Sequence, residues 1–284
     1  MAASDYTQRG GGTFCTVASI VGPLVPTANA VQITGLSFDN VDNRVVGMLA
    51  MIGSELVRVD GISGNTVTLG RGVGDTVPVR HEGGSKIWFF DTDVGTDKTE
   101  YFGSQAVAVK VLPRTLTKVV PIEASPPNNL VFNSRFIRPY PPAQVKVDAG
   151  SFATVVTLDA AKPSMTITWV GRNRVSQADQ LVAFDEPSVT PEPGTTYRAR
   201  LFTQAGVLKR TFDIGAAQTL TVERGVSALD LAAADAGDVP AYLLLDSMRD
   251  GYASFQALRI DFIIDTTGLG TPSGWGVAWG AAWG

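Results

Sequence analysis

The chain has 284 residues, 44% hydrophobic and 18% charged, with one cysteine (Cys15), one histidine (His81) and a formal net charge of −4. One cysteine excludes an intrachain disulfide and a cysteine-cluster zinc site, and one histidine excludes mechanisms that need two imidazoles. Low charge with abundant apolar residues excludes intrinsic disorder, and the absence of a basic patch argues against nucleic acid as a partner.

Taken from the start, Arg9 precedes an apolar run from Phe14 to Val25, and Ala28-Asn29-Ala30 resembles a signal-peptide cleavage site. Gly22, Pro23 and Pro26 interrupt the run and Asp5 stands in its basic flank, so a β-rich segment is expected instead. Between Val31 and Leu112 the pattern is short strands with turn chemistry. Glu55-Leu56-Val57-Arg58-Val59-Asp60 alternates at period two, and so does Thr66-Val67-Thr68-Leu69. The turn residues from Asp60 to Asn65 join them into a predicted hairpin. Lys86–Phe90 and Ala106–Leu112 are further predicted strands.

A connector follows, in which Pro121, Pro126, Pro127, Pro139, Pro141 and Pro142 put six of 16 prolines into 22 residues. Proline lacks an amide proton and fixes φ, so this stretch should be extended and outside any central strand. Its Leu130, Val131, Phe132, Phe136 and Ile137 are too apolar for a free linker, so it is expected to lie against a domain or a neighbouring subunit.

A second β unit begins near Val145. Alternation over Ser164–Val170 places Met165, Ile167 and Trp169 on one face. Strands at Tyr197–Phe202, Val207–Phe212, Thr219–Arg224, Ala241–Ser247 and Phe255–Ile264 follow. A short helix is predicted over Val226–Ala236, with Leu229 and Ala233 on one side. About seven short strands with an early buried tryptophan suggest an immunoglobulin or fibronectin-type sandwich, and the lack of a cysteine pair favours the fibronectin version. The expected class is therefore all-β: a small N-terminal β-barrel or β-sandwich, then a fibronectin type III-like β-sandwich. The expected organisation is a β-rich attachment domain at 1–120, a proline-rich connector at 121–144, the sandwich at 145–266 and a Gly/Trp-rich tail at 267–284.

Little in the sequence carries chemistry. His81 lies in a turn-like stretch with no Gly-x-Ser-x-Gly elbow anywhere, so a surface or turn histidine is expected. Asp91, Asp93 and Asp97 match only part of a calcium loop, because Gly95 stands where an oxygen ligand is needed. Gly70-Arg71-Gly72-Val73-Gly74-Asp75 lacks the lysine and the following helix of a phosphate-binding loop. Asp185 and Glu186 would need a second acid across a cleft to serve as a glycosidase pair. No enzyme activity, no metal and no cofactor are expected. The unusual feature is the tail, where Trp275, Trp279 and Trp283 are each followed by glycine. Three indoles in a tail need burial, so these residues are candidate partner-binding positions, with insertion into a membrane interface, a zone that tryptophan favours, as the alternative.

One stretch has a family resemblance. The run Gly47–Val59, with Gly53-Ser54-Glu55-Leu56-Val57-Arg58-Val59, continues through Val67-Thr68-Leu69-Gly70-Arg71-Gly72-Val73-Gly74-Asp75-Thr76-Val77-Pro78 to His81 and Trp88. It resembles a segment of tail-tip and baseplate-hub proteins of long-tailed bacteriophages. Met165–Trp169 followed by Arg172 and Arg174 is similar to the fibronectin-like module in hub proteins of siphophages and gene-transfer agents. The resemblance implies a virion structural protein of the tail tip or baseplate, hub-associated or in a central fibre. It implies contacts with hub, distal tail or fibre subunits, a homo-oligomer (a trimer being common at tail tips) and a role in host attachment. The rival expectation is a phage adhesin or carbohydrate-binding module that reads the host surface.

Overall fold

A computed structural model describes residues 6–37, 44–91, 95, 97–186, 189–231 and 236–269. The first unit is built from β1 (Thr16–Ile20), β2 (Ala30–Thr34), β3 (Leu49–Ile52), β4 (Glu55–Ser63), β5 (Thr66–Gly70) and β6 (Lys86–Phe89). They close an antiparallel barrel in the order β1-β2-β5-β4-β3-β6, with β6 returning to β1. Alternation along each strand sends Ala18, Ile20, Val57, Val59, Val67, Leu69, Ile87 and Phe89 inward to a single apolar core. Closure removes the open sheet edges that would otherwise invite aggregation. Two hairpins have two-residue loops, Gly53-Ser54 and Gly64-Asn65, whose leading glycines supply the positive φ such loops need (+58° and +57°). The turn expected over Asp60–Asn65 is shorter than that: β4 continues to Ser63 through an irregularity between Val59 and Gly61, and only Gly64-Asn65 turn.

Beyond the barrel, β7 (Ala106–Val109) pairs antiparallel with β8 (Asn128–Val131) as a separate two-stranded ribbon. The chain between them folds back at a tip closed by an Arg114–Val119 bridge. Residue 120 thus falls inside one hairpin arm whose two legs come from either side of it. Short 3-10 turns at Ile122–Ala124 and Arg135–Ile137 complete this region.

The second unit contains β9 (Ala143–Val147), β10 (Gly150–Ser151), β11 (Val156–Leu158), β12 (Ser164–Val170), β13 (Thr196–Thr203), β14 (Leu208–Gly215), β15 (Thr219–Glu223), α1 (Arg224–Leu231), β16 (Asp238–Arg249), β17 (Tyr252–Ala253) and β18 (Leu258–Asp265). One sheet runs β10-β9-β12-β15 and the other β11-β18-β16-β13-β14, with β17 on β16. The three longer strands of one sheet, in chain order first, second and fifth, face the third, fourth, sixth and seventh of the other. That is a fibronectin type III-like sandwich, and the described residues are all-β with one short α-helix. Trp169 on β12 lies in the core with Met165 and Ile167, its ring edge-on to Tyr197 at 5.4 Å.

The helix begins at Arg224, two residues before the predicted Val226. α1 ends, among the described residues, at Leu231, and Ala228 and Leu231 enter the core while Leu229 is 59% exposed. Arg224 fixes it, its guanidinium donating to the Asp265 and Thr267 carbonyls (2.6 and 2.7 Å). Ala233 lies outside the described residues.

Candidate functional site

The stretch carrying the family resemblance folds into a buried polar cluster at one end of the barrel. Glu55 occupies an inward position of β4, in phase with Val57 and Val59, and is fully buried. Its carboxylate accepts from Arg71 Nε and Nη2 (2.7 and 2.8 Å), His81 Nε2 (2.8 Å) and the amides of Gly72 and Val79 (3.0 and 3.1 Å). Arg71 spends its remaining donors on the carbonyls of Val25, Ala28 and Val79 (3.0, 2.7 and 2.7 Å). Burial pushes the Glu55 carboxyl up, but hydrogen bonds from His81 and Arg71, the Arg71 charge and the Val79 amide outweigh it and leave the acid below its ordinary range. A buried carboxylate is tolerated only when its lone pairs are filled in this way.

His81 is therefore neither a surface nor an idle turn residue. It is 7% exposed, and its own amide and carbonyl pair with Leu24 at 3.0 and 2.9 Å. The reason is the carboxylate behind it: an imidazole N–H satisfies one Glu55 oxygen while the ring closes the barrel end. Sequence reasoning quoted all three residues without pairing them. The available signal was Glu55 itself, a charge in the phase of a core-facing strand.

The loop from Arg71 to Val79 faces outward as well, onto the sandwich. The Arg71 carbonyl accepts from the Phe184 amide (2.8 Å) and the Gly72 carbonyl from Arg172 Nη1 (3.0 Å). Gln256 bridges the units, accepting from the Val77 amide (2.9 Å) and donating to the Ser54 carbonyl (2.8 Å). Asp75 is gripped by Arg135, whose guanidinium also lies 4.1 Å over the Phe255 ring. Val77 enters the sandwich core. Gly72 is required where it stands: its φ is +57°, and a Cβ would come 2.6 Å from Pro78 Cδ and 2.9 Å from Pro78 N.

Two arginines complete the seam. Arg58, on the outer face of β4, donates to Glu186 (2.6 and 3.1 Å), Asp60 (2.5 Å) and the Leu181 carbonyl (2.6 Å). The Arg58 bond holds the Glu186 carboxyl below its usual value, so this acid serves the seam rather than a cleft. Arg172 is 5% exposed and bonds only to carbonyls, those of Gly72 and Val182, with its guanidinium 5.3 Å over the Tyr140 ring. Burial without a carboxylate partner lowers its pKa to about 10.

The other candidates are placed as follows. Among the described residues no three of His, Cys, Asp and Glu gather to hold a metal. Asp91 and Asp97 are exposed, Asp97 accepts from Tyr101 Oη and the Thr99 amide, and Asp93 lies outside the described residues. Asp185 lines a shallow open groove of about 390 Å³ beside Phe152 and Phe184. On the outer face of the larger sandwich sheet, Asp246 sits between Arg198 and Arg200 (2.9 Å each), and Arg259 covers Tyr242 at 3.8 Å. Trp275, Trp279 and Trp283 lie outside the described residues.

No family model and no curated protein matches the chain. Among solved structures it is similar to the crystal structure of chicken CNTN1 FN1-FN3 domains, at 11% identity and a TM-score of 0.24, over 89% of this chain. The chain covers 65% of that structure's length. The sandwich assignment rests on the strand order above and not on this likeness.

Proposed function

We propose that the protein is a structural component of a tailed bacteriophage virion, in the tail tip or baseplate, which joins tail subunits and copies of itself. The reading starts from the family resemblance of residues 47–88. What supports it is the use this fold makes of those residues. Arg71, Gly72 and Val77 bind barrel to sandwich and Asp75 binds Arg135 of the connector, so the pattern serves as a mechanical joint between two β modules. Two modules tied together by such a seam suit a part that transmits position along an assembly. Catalysis does not suit the cluster, because a carboxylate with no exposed surface and five donors around it is out of reach of a substrate.

The proposal carries further expectations. The chain resides in the virion, contacts hub, distal tail or fibre subunits, and engages no nucleic acid. The tail with Trp275, Trp279 and Trp283 docks on a partner, since apolar rings with little charge among them gain most from burial. The test is a phage from which the reading frame is deleted. The reading expects particles to stop at tails without a completed tip, with restoration by the full chain but not by a chain ending at Gly274. Intact particles that only fail to adsorb, together with saturable binding of the purified protein to host cells, would move the assignment to the adhesin.

A further inference from the structure

We propose that the hairpin arm from Gln105 to Phe132 is a dimerisation element, pairing strand β7 with β7 of a second copy of this chain. The arm has no core of its own. Among the described residues, none between Phe89 and Ala143 belongs to either buried apolar cluster. It is held by the β7–β8 ladder, the tip bridge, Lys110 Nζ on the Ile122 carbonyl (2.7 Å), Ser125 Oγ on the Val111 carbonyl (2.7 Å), the Phe132 ring stacked on Tyr101 (4.4 Å) and Lys110 over the Tyr6 ring (5.0 Å). A lone two-stranded ribbon in water is marginal at best.

The arm and its flanks are also apolar on the outside. Phe102, Val111, Leu112, Leu116, Val119, Leu130, Val131, Phe136 and Ile137 are all exposed, Leu116 and Phe136 almost wholly. Neighbours such as Leu130 and Val131 face opposite sides of the ribbon, so a strand added at the β7 edge would extend both apolar faces.

The occupant follows from the edges. β7 pairs on one side only, and Gln105-Ala106-Val107-Ala108-Val109 contains no charge and no proline, the residues that usually block an exposed edge. On the other leg Pro126 and Pro127 immediately precede β8, so a strand added on that side could extend only over Asn128–Val131. An uncharged alternating Ala-Val edge is complementary to itself. Antiparallel pairing of like edges also sends the two basic tips, with Arg114 and Lys118, in opposite directions, so like charges do not meet. Such pairing is two-fold. It differs from the three-fold state implied by the family resemblance, and a mass measurement distinguishes them. The inference stands on the arm alone and does not require the virion reading.

The Phe132 amide donates to the Gln105 carbonyl, and antiparallel alternation from that pair points the Ala106 and Ala108 amides to the free edge. Ala108→Pro removes an outward donor. Ala108→Lys keeps the amide and brings like charges into the new pairing. Sedimentation of the purified full chain at about 50 μM is expected to give twice the 30.0 kDa chain mass. Each variant should raise the dimer Kd at least about tenfold with circular dichroism and melting temperature unchanged. A monomeric or trimeric wild type, or a dimer that both folded variants leave intact, overturns the proposal.

Discussion

At the scale of single residues the molecule turns on Glu55. Removing its charge leaves Arg71 buried without a counterion, so Glu55→Gln should cost about 3–5 kcal/mol in chemical denaturation. The pH dependence follows from the lowered Glu55 pKa. A carboxyl whose folded pKa lies below its unfolded value binds more protons when unfolded, so its contribution is present above the unfolded value, near 4.5, and disappears as pH falls through the folded one. The wild-type midpoint should therefore drop as pH is lowered below that point, and Glu55→Gln should flatten the drop. An equal slope in both proteins would remove Glu55 from the account. Glu55, Arg71 and His81 were all visible in the sequence as parts of a pattern, yet their pairing was not. Hydrogen bonding across 16 and 26 residues depends on where a barrel closes, and local spacing carries no such information.

At the scale of elements, alternation told more. The inward sets of β4, β5, β6 and β12 follow from period two, since one face of each strand is buried and the other is wet. Spacing puts Leu229 and Ala233 on one helical face without saying which face is buried; Ala228 and Leu231 enter the core, Leu229 points to solvent, and Arg224 ties the start of α1 to the carbonyls after β18. Leu231→Ala should cost about 2–5 kcal/mol as a core truncation, while Leu229→Ala should stay within about 0.5 kcal/mol. Denaturant midpoints of the two variants measure the contrast, and comparable losses at both positions would put the helix in another phase. The connector was legible in part: its prolines do keep it out of the central sheets, but the pairing of β8 back to β7 spans the region where a boundary was expected.

For the whole molecule, the central matter is the seam. Barrel and sandwich share Val77, the Gln256 bridge, Arg58–Glu186 and the buried Arg172, contacts 100 or more residues apart in sequence for the last three. Nothing in composition or periodicity foretells them, because each partner is an ordinary polar residue until the two units meet. Coupled in this way the units should unfold in one calorimetric transition, and Arg172→Ala with Gln256→Ala should split it in two. Two transitions already in the wild type would mean that the seam does not bind the modules. The proposal that this pair of modules is a building part of a phage tail is tested most directly by cryo-electron microscopy of intact particles. The account predicts density at the tail tip or baseplate into which barrel and sandwich fit as one body in their present arrangement. Particles with a complete, resolved tail that contain no such density would contradict it.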